Sequence, residues 1–100
     1  MRGVVAGSNK MNIIKEYYQP QHDSSPPICI VRTHTYADTL HYFDELFAVA
    51  KSDFPGLSRE DCNVAHYGGR HYKGTYGIEF RWSGEIPESY QKIERLEYKL

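Results

Sequence analysis

The chain reads as an α+β protein, a small single domain in which a mostly antiparallel sheet of four to five strands is packed by one main helix at about 36–51. Three observations predict this. Apolar residues recur at three- and four-residue spacing in one clear stretch, where Leu40, Phe43, Phe47 and Ala50 line up with Leu46 and Val49 beside them. Short runs rich in β-branched and aromatic residues flank that stretch on both sides. Gly68 and Gly69 stand together between two of those runs, a signal for a tight hairpin because the turns that match strand twist need positive φ.

The elements follow in order. Residues 1–10, MRGVVAGSNK, lack the continuous apolar core of a signal peptide and are expected to be a loose leader, a vector scar or an upstream start, with the domain spanning 11–100. MNIIKEYY, residues 11–18, predicts a strand, and QPQHDSSPP, residues 19–27, a polar, proline-bearing loop. ICIVRT, residues 28–33, is a short apolar run bounded by prolines, as a central buried strand requires. The helix follows, with Thr35 placed to cap its start and Asp38 at the positive end of its dipole. Its opposite face carries Thr39, His41, Asp44, Glu45, Lys51 and Ser52, so one side is expected to cover the sheet and the other to meet water.

FPGLSRED, residues 54–61, ends the helix at Pro55 and Gly56 and leaves Ser58 to cap a short turn with Asp61. CNVAHY, residues 62–67, is a strand that leads through the glycines into a second arm. There Tyr76, Ile78, Phe80 and Trp82 alternate with Thr75, Gly77, Glu79 and Arg81, which sends the large side chains to one face. The tail from Ser83 predicts a turn, then a loop or short helix around Tyr90 and Ile93, then an edge strand at 96–100. Residues 11–18 are expected to form the other candidate edge.

Composition bounds the function. One hundred residues make one domain, which excludes multidomain enzymes. A net charge of -1 supplies no global field for polyanions, so nucleic-acid binding would rest on a local patch. No apolar run is long enough to span a membrane, and the expected compartment is the cytoplasm. Cys29 and Cys62 lack metal or redox spacing and read as reduced, buried, small apolar residues. The nine tyrosines, apolar in body and polar at the tip, suit strand faces and contact surfaces.

The densest chemistry lies in HYGGRHYKGTYGIEFRW, residues 66–82. With Gly68 and Gly69 as a two-residue loop, His66 and His71 would face each other across the hairpin and could share a metal ion, although no third ligand stands nearby at helpful spacing. Two exposed strand histidines are the simpler reading. KGTYGIEF, residues 73–80, resembles the RNP1 strand of RNA-recognition domains at Lys73, Gly74, Ile78 and Phe80. Thr75 and Gly77 stand where that strand carries its outward stacking aromatics, and ICIVRT lacks the aromatic of the companion strand, so the resemblance stops short of membership. A more general alternative has Arg70, Tyr72, Lys73 and Arg81 contacting phosphates and stacking bases.

Catalytic readings are weaker still. Cys62 and His66 share a strand face but lie some 13 Å apart along it, as four residues at the strand rise of roughly 3.3 Å require. The glycine-rich stretch joins two strands and lacks the strand-to-helix context of a phosphate loop. The expectation is therefore a small, soluble, non-catalytic module without cofactor or metal that binds an unknown protein partner or itself, as a homodimer or as an inhibitor or adaptor of a larger target. The expected contacts are Tyr67, Arg70, His71, Tyr72 and Lys73 at the hairpin tip and Tyr42 on the outer helix face.

Overall fold

A computed structural model of the chain describes residues 12–20, 24–33, 39–67 and 75–94, with the backbone alone at 39–41, 66–67 and 75–76. Strand β1 (Ile13–Tyr18) and strand β2 (Ile28–Thr33) precede helix α1 (Thr39–Asp53). A short 3-10 turn (Arg59–Asp61) leads into β3 (Asn63–Tyr67), β4 (Thr75–Arg81) and β5 (Gln91–Ile93). Among the described residues the sheet has five strands in the order β3-β4-β2-β1-β5, antiparallel except where β5 runs parallel to β1. The expected α+β class, with one main helix on a mostly antiparallel sheet, is thus the observed one.

α1 forms where the apolar spacing placed it and runs two residues further, to Asp53. Leu46 and Ala50 are wholly buried, while Phe43, Phe47 and Val49 pack half-buried around them. Thr35 and Asp38 lie outside the described residues. At the far end the Phe54 amide still donates to the Ala50 carbonyl at 2.8 Å, and Pro55, which has no amide hydrogen, stops the ladder. Lys51 closes this end by donating to the Leu57 carbonyl at 2.8 Å, where its charge also meets the negative end of the helix dipole. Ser58 stands at the head of the 3-10 turn, but its side chain makes no cap bond; its carbonyl receives the Asp61 amide instead.

The helix covers one face of the sheet. Cys29 and Val31 of β2 and Ile78 and Phe80 of β4 are buried there with Leu46, Ala50, Leu57, Cys62 and Tyr90. Phe54 is the hub of this core: its ring lies 5.1 Å from Phe80, 4.9 Å from Trp82 and 5.2 Å from Tyr90, edge-on or tilted to each. Those are the spacings and orientations that ring quadrupoles favour. The Tyr90 hydroxyl donates to Asp53 at 2.8 Å, and Lys15 reaches the same carboxylate at 3.0 Å. An acid on the last residue of a helix opposes the macrodipole, and Lys15 offsets that here while tying β1 to the end of α1.

The opposite face holds a different device. Ile30 and Ala65 are buried, and beside them Arg32 donates through Nε and Nη2 to the two oxygens of Glu16, at 2.9 and 3.2 Å, with both side chains more than nine-tenths buried. A forked contact of this kind satisfies both groups, and removing either partner would strand a charge in a poor solvent. Gly77 is the register partner of Arg32, and an added Cβ there would sit 2.5 Å from the Arg32 Cβ and 2.7 Å from the Val31 carbonyl oxygen. Glycine is required at this position by close approach rather than by a turn.

Three expectations are corrected by the pairing. Residues 11–18 do not supply an edge strand, because β1 is flanked by β2 and β5. Gln91–Ile93 form strand β5, where a loop or short helix was expected around Tyr90 and Ile93; the edge strand expected at 96–100 lies outside the described residues. Tyr67 pairs with Thr75 and His66 with Tyr76, which is not the register that a two-residue loop at Gly68 and Gly69 requires, and the residue opposite His66 is Tyr76 rather than His71. The glycine pair signalled a reversal correctly but misled about its register, since that is set by the burial of Ile78 and Phe80 on β4.

Gly77→Ala is expected to lower the melting temperature by roughly 4–24 °C, since overpacking costs about 1–3 kcal/mol and each kcal/mol shifts a domain of this size by about 4–8 °C. A Cβ on Gly56 meets Trp82 at an ordinary 3.5 Å, so Gly56→Ala should stay within about 0.5 kcal/mol of the parent. Equal losses in the two variants, measured by thermal unfolding, would contradict the steric account.

Candidate functional site

The described residues present one exposed large hydrophobic side chain, Val64, which is 42% accessible. Its exposure follows from topology. Val64 pairs with the buried Ile78, so it points to the helix-covered side, but β3 is the last strand of the sheet among the described residues and α1 lies mainly over β4 and β2. The edge strand is therefore left half-covered, and an open groove of about 560 Å³ runs between it and the helix, lined by Phe43, Val64, Arg59 and Glu60.

The groove wall is organised by charge. The Arg59 guanidinium stacks over the Phe43 ring, 4.6 Å from its centroid, and donates to the Asp44 carboxylate on the next helical residue. Stacking leaves the ring edge and Val64 as the apolar floor, while the ion pair holds the arginine in place. Glu60 and Asp61 follow Arg59 in the 3-10 turn and are exposed, and neither takes part in an ion pair among the described residues. β3 itself, NVAHY, carries no acidic, lysine or arginine residue.

The sequence-predicted contacts fall unevenly on this frame. Tyr42 is half-buried next to Phe43 in α1. Arg81 is exposed at the end of β4, where Nη1 donates to the Pro26 carbonyl at 3.0 Å while the following amide, of Trp82, donates to Pro27 at 3.1 Å. Those bonds fasten the proline loop to β4, a structural duty for the arginine that had been read as a phosphate contact. Arg70, His71, Tyr72 and Lys73 lie outside the described residues, as do the side chains of Tyr67 and His66. The strand continuing toward RNP1-like chemistry presents Gly77 beside buried Arg32 on its outward face, so no stacking ring stands at that position.

The groove itself was missed by the sequence reading. Val64 was one strand residue among several, Asp61 part of a capped turn, and Arg59 carried no assignment; only the placement of β3 in the sheet joins them to Phe43. One signal was present in the sequence: an apolar strand without a guarding lysine or acid, which marks an edge open to pairing.

Both cysteines are free and buried, as expected. Burial pushes the Cys29 thiol up from 9.0 to about 12. Burial pushes Cys62 up to about 11, with neighbouring Asp61 adding to the rise and Arg59 opposing it. The Cys62 thiol is also turned to the Ser58 carbonyl, 3.7 Å away. Neither sulfur is poised as a thiolate nucleophile. The neutral thiol is the form the folded chain favours, so this stability is fully present below pH 9 and is lost as pH climbs toward 11–12, where the unfolded chain has already ionised.

Urea midpoints should therefore fall between pH 9 and 11, and fall less in the Cys29→Ala, Cys62→Ala double variant; parallel pH profiles for the two proteins would reject the thiols as the cause. Comparisons with known protein families, curated proteins and solved structures return no match, so the site is read from its own chemistry.

Proposed function

We propose that the protein is a small, non-catalytic binding module that works by contact with another protein. The observation that carries this reading is the exposed Val64 on an uncharged edge strand, set beside Phe43 in an open groove. An apolar floor with a charged rim is the anatomy of a protein contact, and an edge strand adds backbone donors and acceptors that an incoming chain can satisfy. The neutral, buried thiols and the Tyr90 phenol, whose pKa burial and the Asp53 hydrogen bond raise, are consistent with structural rather than chemical duties. Tyr67, at the end of β3, Arg70, His71, Tyr72 and Lys73, which follow it in sequence, and Tyr42 on α1 are retained as proposed contacts.

The nucleic-acid alternative gains nothing from this groove. Glu60 and Asp61 at its rim repel phosphates, and Arg59 is already paired with Asp44.

Affinity capture with the parent protein, Val64→Asp and Lys92→Ala tests the proposal. The parent and Lys92→Ala, which alters the opposite sheet edge, should retain a stoichiometric protein that survives nuclease treatment, and Val64→Asp should lose it with its thermal unfolding shifted by no more than about 0.5 kcal/mol. Equal capture by Val64→Asp would remove the groove from the reading. Recovery of nuclease-sensitive material alone would sink protein binding altogether.

A further inference from the structure

The two edges of the sheet are not alike. β5 is short, with Lys92 inside it and Glu94 just beyond, the charged and abbreviated form that discourages pairing with another chain. β3 is longer, carries no Lys, Arg, Asp or Glu, and exposes Asn63 and Val64. On its helix side the exposed valine opens into the Phe43 groove, and at its start stand Glu60 and Asp61, whose charges no described residue balances.

From this asymmetry we infer that the groove takes an extended, basic segment of another protein, which adds as a strand beside β3 with an apolar side chain against Val64 and Phe43 and a lysine or arginine against Glu60 and Asp61. The inference rests on the protein-binding reading above and names its partner's chemistry. Strand addition supplies backbone hydrogen bonds whatever the sequence of the incoming segment, so affinity comes from the edge and selectivity from alternate side chains. Side chains two residues apart in a strand share a face. A basic residue placed two positions from the apolar one therefore comes down on the same side of the sheet as the groove, near the 3-10 turn.

Charge decides between partners. A second copy of this chain aligned in parallel would set its own Glu60 and Asp61 against these acids. An antiparallel copy, whose β3 is followed in sequence by Arg70 and Lys73, is excluded by the test: sedimentation as a dimer without peptide, abolished by Val64→Asp, would overturn the inference. An acidic segment would place like charges together at close range, which interfaces avoid. A basic segment converts the unbalanced rim into an attraction that steers the encounter at low salt and is screened as salt rises.

The test titrates the isotopically labelled protein with a capped peptide, Lys-Thr-Val-Thr-Lys-Thr-Val-Thr-Lys, and with its counterpart in which every lysine is glutamate. The lysine peptide should move the amide resonances of Asn63 to Ala65 and of Arg59 to Asp61, and should bind about tenfold more tightly than the glutamate peptide at low salt. In the Glu60→Lys, Asp61→Lys variant, whose changes fall on exposed side chains, the preference should invert. Equal binding of the two peptides, an unchanged preference in the variant, or shifts confined to residues away from β3 would overturn the inference. A protein partner that is lost with Val64→Asp while the peptides fail to bind would separate the two ideas: the binding module would stand and the basic strand would fall.

Discussion

Phe54 holds the structure together. It is the first residue beyond the helix, and its ring packs against Phe80 on β4, Trp82 just after it and Tyr90 at the approach to β5, so a single side chain joins the end of α1 to two otherwise separate parts of the sheet. The polar ring around it is arranged to suit. Tyr90 can stand edge-on to Phe54 because its hydroxyl has Asp53 to bond, and Asp53 can occupy the negative end of a helix because Lys15 answers it. The angle at which α1 crosses the sheet follows from this anchor, and with it the strip of β3 that the helix leaves bare.

The opposite face is specified by a separate constraint. Arg32 and Glu16 form a buried fork that is worth little as net stabilisation against a well-packed apolar pair but is costly to break or misplace. Gly77 makes room for it on the neighbouring strand. Slipping the pairing of β2 with β4 by one residue would set a side chain against Arg32 and turn Ile78 and Phe80 away from Phe54. Ion pair, glycine and aromatic hub therefore agree on a single register from two sides of the sheet.

Much of this was legible in the chain. The period of Leu46 and Ala50, the apolar run of ICIVRT and the alternation through Ile78 and Phe80 each announce their element, because burial on one face leaves a local pattern. What the chain does not write locally is partnership. Gln91 and Lys92 are polar and their strand is brief, so nothing in the sequence shows that they lie parallel to β1, and the doubled glycine suggested a tighter hairpin than the register of Tyr67 with Thr75 allows. The groove is of the same kind. Phe43, Arg59 and Val64 belong to three elements, and only the strand order makes them neighbours.

The parallel pairing of β1 with β5 also bears on how the chain comes to be folded. Glu16 finds its partner at Gln91, across nearly the whole sequence, whereas β1 and β2 are joined through one loop. Contacts between distant residues must overcome a larger loss of chain freedom before they are rewarded, so the β1–β2 hairpin can assemble well ahead of the closing strand. On a ribosome, β1 is complete long before residues 91–93 emerge, and throughout that interval its outer edge, Ile13 to Tyr18, lacks the strand that finally covers it. The vulnerable moment for this protein is thus during synthesis, when a strand that ends in the interior of the sheet is still an open edge.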